Sequence, residues 1–129
     1  MEKHIIETSR APKPVGPYSQ AVQVGNLLFC SGQIAINPDT NEVLQADIQT
    51  QARRVMDNIK AVLEAAGLDL GCVVKTTIFL TDMNDFSKVN DVYMGYFTRD
   101  FPARSTVQVS GLPKGVKVEI EVIASKSGI

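Results

Sequence analysis

The sequence predicts an α+β domain in which two helices cover one face of a five- or six-stranded sheet. Two observations carry the fold class. Stretches with strand character, at Ala21–Val24, Leu27–Ile36, Cys72–Leu80, Ser105–Val109 and Val116–Ala124, recur between turn residues. Two stretches with a helical apolar stripe, running from Ile48 to Ala66 and from Phe86 to Phe97, separate them. A third observation, the length of 129 residues, fits one domain over residues 1–129, since domains cluster at roughly 100 to 150 residues.

Taken in order, a short strand is expected at His4–Ile6. A loop follows over residues 8–17, where three prolines and a glycine interrupt any regular structure. Ala21–Val24 and Leu27–Ile36 flank Gly25-Asn26, a two-residue hairpin turn. Asn37-Pro38-Asp39-Thr40-Asn41 is a turn cluster. Beyond it Ile48, Ala52, Val55, Ile59, Val62, Leu63 and Ala66 make one helix stripe, with Asp47 as N-cap and Gly67 as C-terminal stop. Arg53, Arg54, Lys60 and Glu64 fall off that stripe and are read as a solvated face.

Cys72–Leu80 is rich in β-branched residues. It sorts into Val74, Thr76, Ile78 and Leu80 on one side and Val73, Lys75, Thr77 and Phe79 on the other. Asp82–Asp85 offers caps for a second helix carrying Phe86, Val89, Tyr93, Tyr96 and Phe97. That helix is expected to stop at Phe101-Pro102, since proline disfavours helical geometry in the residue before it. Ser105–Val109 and Val116–Ala124 close the chain as two strands, read as neighbours joined by Gly111–Gly115. The helices should cover the face that owns Val116, Val118, Ile120, Val122 and Ala124. The other face, with Lys117, Glu119, Glu121 and Ile123, is neither cleanly polar nor cleanly apolar, which suggests an oligomer that buries part of it.

Composition narrows what such a domain does. Lys+Arg number 13 and Asp+Glu 14, a formal net charge of -1, and neither half holds a block of like charge. Tight binding to nucleic acid or an anionic membrane needs a cationic footprint that is missing here. Met1–Glu7 has no apolar run of signal-peptide length, and no stretch approaches the roughly 20 apolar residues of a membrane span, so a cytoplasmic protein is expected. Cys30 and Cys72 lie outside any CxxC pattern and are expected to be reduced and buried. A single histidine, His4, leaves a structural zinc site almost without ligands.

Chemistry must then run on arginine, carboxylates, hydroxyls and backbone groups, because GxSxG, P-loop, GxGxxG and HExxH patterns are all absent. Arg104 is the leading candidate: a guanidinium fork at the start of a strand can hold a small carboxylic acid through two parallel hydrogen bonds. Glu119 or Glu121 could serve as general acid or base if its pKa rises toward neutrality. Spacing alone favours instead a cross-strand Arg–Glu salt bridge on a solvated face. Tyr18, in the loop, either lines a site or packs. Ser31-Gly32-Gln33 reads as a bend, or as a place where backbone approaches a ligand closely.

Six motifs in register resemble the reactive-intermediate deaminase (RidA, or YjgF) family. They are Gly16-Pro17-Tyr18-Ser19-Gln20-Ala21, Ser31-Gly32-Gln33, Val74-Lys75-Thr76-Thr77, Asp85-Phe86 with Val89-Asn90, Phe101-Pro102-Ala103-Arg104-Ser105 and Val118-Glu119-Ile120-Glu121. The resemblance implies a chorismate-mutase-like α+β fold with a mixed sheet, and a homotrimer with its sites between subunits. It also implies hydrolysis of 2-enamino or 2-imino acids, such as 2-aminoacrylate, 2-iminopropanoate and 2-iminobutanoate, to 2-keto acids and ammonia. By position, Arg104 would bind the substrate carboxylate and Glu119 would activate water. Tyr18, Ser31, Gly32, Asn90 and Thr106 would line the cleft, with no metal or organic cofactor. Thr106 stands where some members carry a cysteine, so thiol chemistry does not transfer. The alternative kept beside this is a non-catalytic ligand-binding protein, or a translation inhibitor or single-stranded RNA ribonuclease, against which the missing basic stripe argues.

Overall fold

In the computed structural model, which describes residues 2–126, the chain forms strands β1 (Lys3–Ile6), β2 (Ala21–Val24), β3 (Leu27–Gln33), β4 (Ile36–Asn37) and β5 (Glu42–Val43). Helix α1 (Ile48–Ala65), β6 (Val73–Leu80), α2 (Phe86–Met94), β7 (Ala103–Gln108) and β8 (Val118–Ser125) follow. Six strands make one sheet in the order β1-β2-β3-β8-β6-β7, mixed because β6 and β7 run parallel while every other pair is antiparallel. The expected α+β class, strand number and helix count all hold. Among the described residues no helix is long and apolar enough to cross a membrane.

Local chemistry accounts for the joints. Gly25 takes the φ of 58° that a two-residue hairpin turn needs at its first central position. Helix α1 starts at the Asp47 N-cap and ends at Gly67, whose φ is 77°. There the Gly67 N–H donates to the Glu64 carbonyl and the Leu68 N–H to the Leu63 carbonyl, the paired bonds of a Schellman cap. The α1 stripe buries Ile48, Ala52, Val55, Ile59, Val62 and Leu63 against the sheet face carrying Val118, Ile120, Val122 and Ala124, as expected, while Val116, expected on the same strand, is buried just ahead of it. Cys30 and Cys72 are free and buried, and burial pushes the Cys30 thiol up to about 12.

Four expectations are corrected. The second strand of the hairpin stops at Gln33, and Ile36-Asn37 leaves it to pair with Glu42-Val43 in a two-stranded ribbon. In β6 it is Val73, not Val74, that joins Thr76, Ile78 and Leu80 in the core. The register with β8 steps from Val73↔Ala124 to Lys75↔Ile123, and the extra residue, Val74, turns outward. Helix α2 ends well before Phe101-Pro102, at Gly95. The Gly95, Tyr96 and Phe97 amides turn instead to carbonyls three residues back, a tightened last turn. The fourth correction bears on function: β7 and β8 are not neighbours, because β6 lies between them.

Candidate active site

Strand β6 decides where the candidate residues go. Along it Thr76 pairs with Arg104 of β7 and Ile78 with Ile120 of β8, while Phe79 pairs with Glu119. Side chains alternate along a strand. Arg104 therefore stands on the helix-covered face with the core residues Thr76 and Ile78, and Glu119 stands on the open face. The cross-strand Arg–Glu salt bridge is thereby removed. The ion pairs among the described residues are Arg10–Glu64 and Arg99–Asp100.

Arg104 is built into the β7 edge by α2. Its Nη1 donates to Asn90 Oδ1 at 2.7 Å. Its guanidinium carbon lies 5.1 Å from the Tyr93 ring centroid and 5.4 Å from that of Phe86, within reach of a cation–π attraction. The Tyr93 hydroxyl is tied to Thr76 Oγ1 at 2.8 Å inside the core, so the ring under Arg104 cannot drift. Asn90, Tyr93, Met94, Phe101, Pro102 and Arg104 line a shallow cleft of about 320 Å³ at this edge. Thr76→Val should strand the buried Tyr93 hydroxyl and destabilise the fold by about 1–3 kcal/mol, read by urea denaturation at fixed protein concentration.

Glu119 occupies a different place. Between Cys30↔Val122 and Gln33↔Ile120 the β3–β8 register slips, so Ser31 and Gly32 together face the single residue Glu121 as a bulge. What read as a bend is that bulge. Gly32 is required there: a Cβ on it would lie 2.0 Å from Glu119 Oε2 and 2.8 Å from Cδ. The carboxylate thus rests directly over the Gly32 backbone, half-buried. Burial first, and the adjacent Glu121 carboxylate second, raise its pKa.

A cleft of about 410 Å³ opens over Glu119, walled by Tyr18, Ser31 and Gly32, by Pro12 and Val15 of the proline-rich loop, and by Ile34. The Ser31 hydroxyl donates to the Ser19 carbonyl at 2.6 Å, and the Ser31 N–H to the Gln20 carbonyl. Tyr18 Oη accepts from the Val15 N–H at 3.3 Å, folding the loop upon itself. The wall residues Ile34 and Ile36 gave no sequence signal. The buried Asn58 of α1 fixes them, donating through Nδ2 to both their carbonyls.

One chain therefore gathers Tyr18, Ser31, Gly32 and Glu119 in one cleft and Arg104 with Asn90 in another, across the thickness of the sheet. Thr106 joins neither cleft. It sits opposite Ile78 on the Arg104 face, its Oγ1 buried without a hydrogen-bond partner among the described residues. Among the described residues no three His, Cys, Asp or Glu side chains gather as metal ligands would.

The open sheet face beside Glu119 carries Ile5, Leu27, Phe29 and Val107, each more than 40% exposed. Lys75 Nζ donates to Ser105 Oγ at 2.9 Å across the same face. These apolar side chains share the face with Lys75, Glu119 and Glu121, so the face is mixed, as its sequence pattern predicts.

Residues 8–126 match the family model described as Endoribonuclease L-PSP. The chain is 54% identical over 122 residues to the 2-iminobutanoate/2-iminopropanoate deaminase of Escherichia coli K12, covering 92% of this chain and 94% of that one. A Yersinia pestis protein of the conserved Rid family superposes with a TM-score of 0.94 at 55% identity, covering 96% of this chain and 99% of its own. E. coli TdcF, crystallised with bound serine, superposes at 0.92 and 50% identity, with the same coverage.

Proposed function

This chain belongs to the Rid family, the endoribonuclease L-PSP family of its matching model, and from that premise we propose that it hydrolyses small 2-imino acids to 2-keto acids and ammonia at sites shared between copies of the chain. The observation that carries the proposal is the placement of Arg104 and Glu119 on opposite faces of one sheet. Neither cleft is complete alone. A ring in which the β7 edge of one copy meets the open face of the next would join the two halves, and a three-fold ring closes such head-to-tail contacts. It would also bury Leu27, Phe29 and their neighbours.

In the joined site each residue does what its surroundings allow. Arg104, held from behind by Asn90 and two rings, keeps the rest of its fork for the substrate carboxylate. Glu119, over Gly32, takes a proton from water as the water oxygen bonds to the imine carbon. It gives that proton to the imine nitrogen, which leaves a tetrahedral amino alcohol. As the C–N bond then breaks, Glu119 takes the remaining hydroxyl proton and passes it to the departing nitrogen, so that ammonia leaves and the carbonyl forms. A carboxylate with a raised pKa suits both halves of that transfer. Similarity to a deaminase of this substrate class, and to a protein crystallised with an amino acid, supports the choice of substrate.

RNA cleavage, named in the family description, fits this cleft less well. Glu119 and Glu121 meet there with Lys13 as the cation beside them, and a phosphodiester would be repelled. The direct test generates 2-iminobutanoate from threonine with a dehydratase in the presence of semicarbazide. The protein should divert flux from semicarbazone to free 2-ketobutanoate, and unchanged partitioning would refute the proposal.

The pH dependence follows from Glu119. As a base it works deprotonated, and its raised pKa means that activity is lost, as pH falls, above the ordinary carboxylate value near 4.5. Since Glu121 contributes to the rise, Glu121→Gln should move the acid limb of kcat/KM to lower pH. An unmoved limb would detach Glu119 from the proton transfer.

A further inference from the structure

The loop over residues 8–17 walls the Glu119 cleft, yet no ladder of backbone hydrogen bonds holds it. Pro12, Pro14 and Pro17 lack an N–H, and the Arg10–Glu64 ion pair is solvent-exposed and worth little. What ties the loop down is Gln20, 3% exposed, at the foot of β2. Its Oε1 accepts from the Thr8 N–H at 2.7 Å. Its Nε2 donates to the carbonyls of Thr8 at 3.0 Å, Ala11 at 3.3 Å and Pro12 at 2.9 Å. Two N–H groups shared among three carbonyls leave no donor for a ligand, although Gln20 borders the cleft. Its main chain is fixed as well, since the Gln20 carbonyl accepts from the Ser31 N–H.

We infer that Gln20 is a positioning residue, whose carboxamide clamps the loop over residues 8–17 so that Pro12, Val15 and Tyr18 form the wall of the Glu119 cleft. Every side-chain partner of Gln20 lies in the loop and none in the sheet, so losing the amide frees the loop while β2, β3 and β8 stay paired. Freed carbonyls at Thr8, Ala11 and Pro12 are better satisfied by water than left buried, which draws the loop outward. Glu119 and Gly32, on strands, stay in place. The consequence falls on substrate binding more than on the chemical step.

The inference rests on the imine hydrolysis proposed above, and its test has an arm that does not. Gln20→Met keeps length and apolar packing but removes both hydrogen-bonding atoms. It should raise KM about tenfold or more with a much smaller change in kcat, at a temperature well below the melting transition. Gln20→Glu, which keeps the acceptor and loses the donors at neutral pH, should behave in the same way. Kinetic constants within twofold of wild type in both variants would overturn the inference, as would equal losses in kcat and kcat/KM.

Hydrogen exchange decides independently of activity and of whether a variant folds. In the wild-type protein the Thr8 amide, which donates to Gln20 Oε1, should be protected, and in folded Gln20→Met protein it should exchange freely. A wild-type Thr8 amide exchanging at the rate of an open loop would overturn the clamp even if turnover were normal. Protection at Thr8 in a wild-type protein without imine turnover would instead refute the proposed reaction and leave the clamp standing.

Discussion

Arg104→Ala is expected to lower kcat/KM for 2-iminobutanoate by about 10²-fold or more, because a clamp lost at the carboxylate misplaces the imine carbon relative to the water. Arg104→Lys keeps the charge but not the planar fork, and should lose about 10-fold. Both variants should fold. Arg104 is half-buried at a sheet edge, its contacts with Phe86 and Tyr93 are worth about 0.5–2 kcal/mol, and Asn90 can turn to water once its partner is gone. The dehydratase-coupled assay reads the activity, and circular dichroism melting reads the fold. Wild-type turnover by Arg104→Ala would remove the carboxylate clamp from the mechanism.

Gly32→Ala is the second large effect, and the more selective one. The new Cβ would collide with Glu119 Oε2, Cδ and Cγ, the last at 3.0 Å. Those atoms are the mobile end of a side chain, so the carboxylate swings away rather than the backbone. The φ of Gly32 is not in the left-handed region, so alanine meets no backbone strain there. Turnover should fall about 10²-fold, at the lower end of what a positioned general base contributes, while stability changes by less than about 1 kcal/mol. Gly111→Ala is the control, because its Cβ would meet nothing within 4 Å. Gly32→Ala with normal activity would show that Glu119 works from another position, or not at all.

Much of the fold was legible because the residues that set it act locally. The α1 stripe, the Gly67 stop, the Gly25-Asn26 turn and the alternation of Val116 to Ala124 each specify structure within a few residues, and each holds. Sequence reading failed where a distant partner decides. Nothing near Cys72–Leu80 announces that Val74 is the extra residue opposite Ala124, since a bulge depends on both strands. Nothing in Ser105–Val122 announces that β6 inserts between the last two strands. A short connection ordinarily joins neighbours, and here it spans β6.

That insertion also limited the reading of the site. The motifs that suggested Arg104, Asn90, Tyr18, Ser31, Gly32 and Glu119 fall into two clefts, each with a clear local construction, and their division across the sheet depends on strand order alone. The clash that makes Gly32 necessary was equally hidden, since it arises from a β8 side chain. Of the two amides that hold the cleft walls, Gln20 lies inside the first motif with nothing to mark its role, and Asn58 gives no sequence signal at all. Their importance comes from complete burial, which composition does not reveal.

The claim that the reaction needs Arg104 from one copy and Glu119 from another can be tested by mixing subunits. Arg104→Ala and Glu119→Gln proteins, each inactive alone, are unfolded together in equal amounts and refolded. With halves drawn at random from two chains, a site is intact when its Arg104 comes from the Glu119→Gln chain and its Glu119 from the Arg104→Ala chain. Activity should therefore recover to about one quarter of that of wild-type protein treated in the same way. If both residues must come from one chain, every mixed site lacks one of them. A mixture that forms hybrid oligomers and stays inactive would contradict the account.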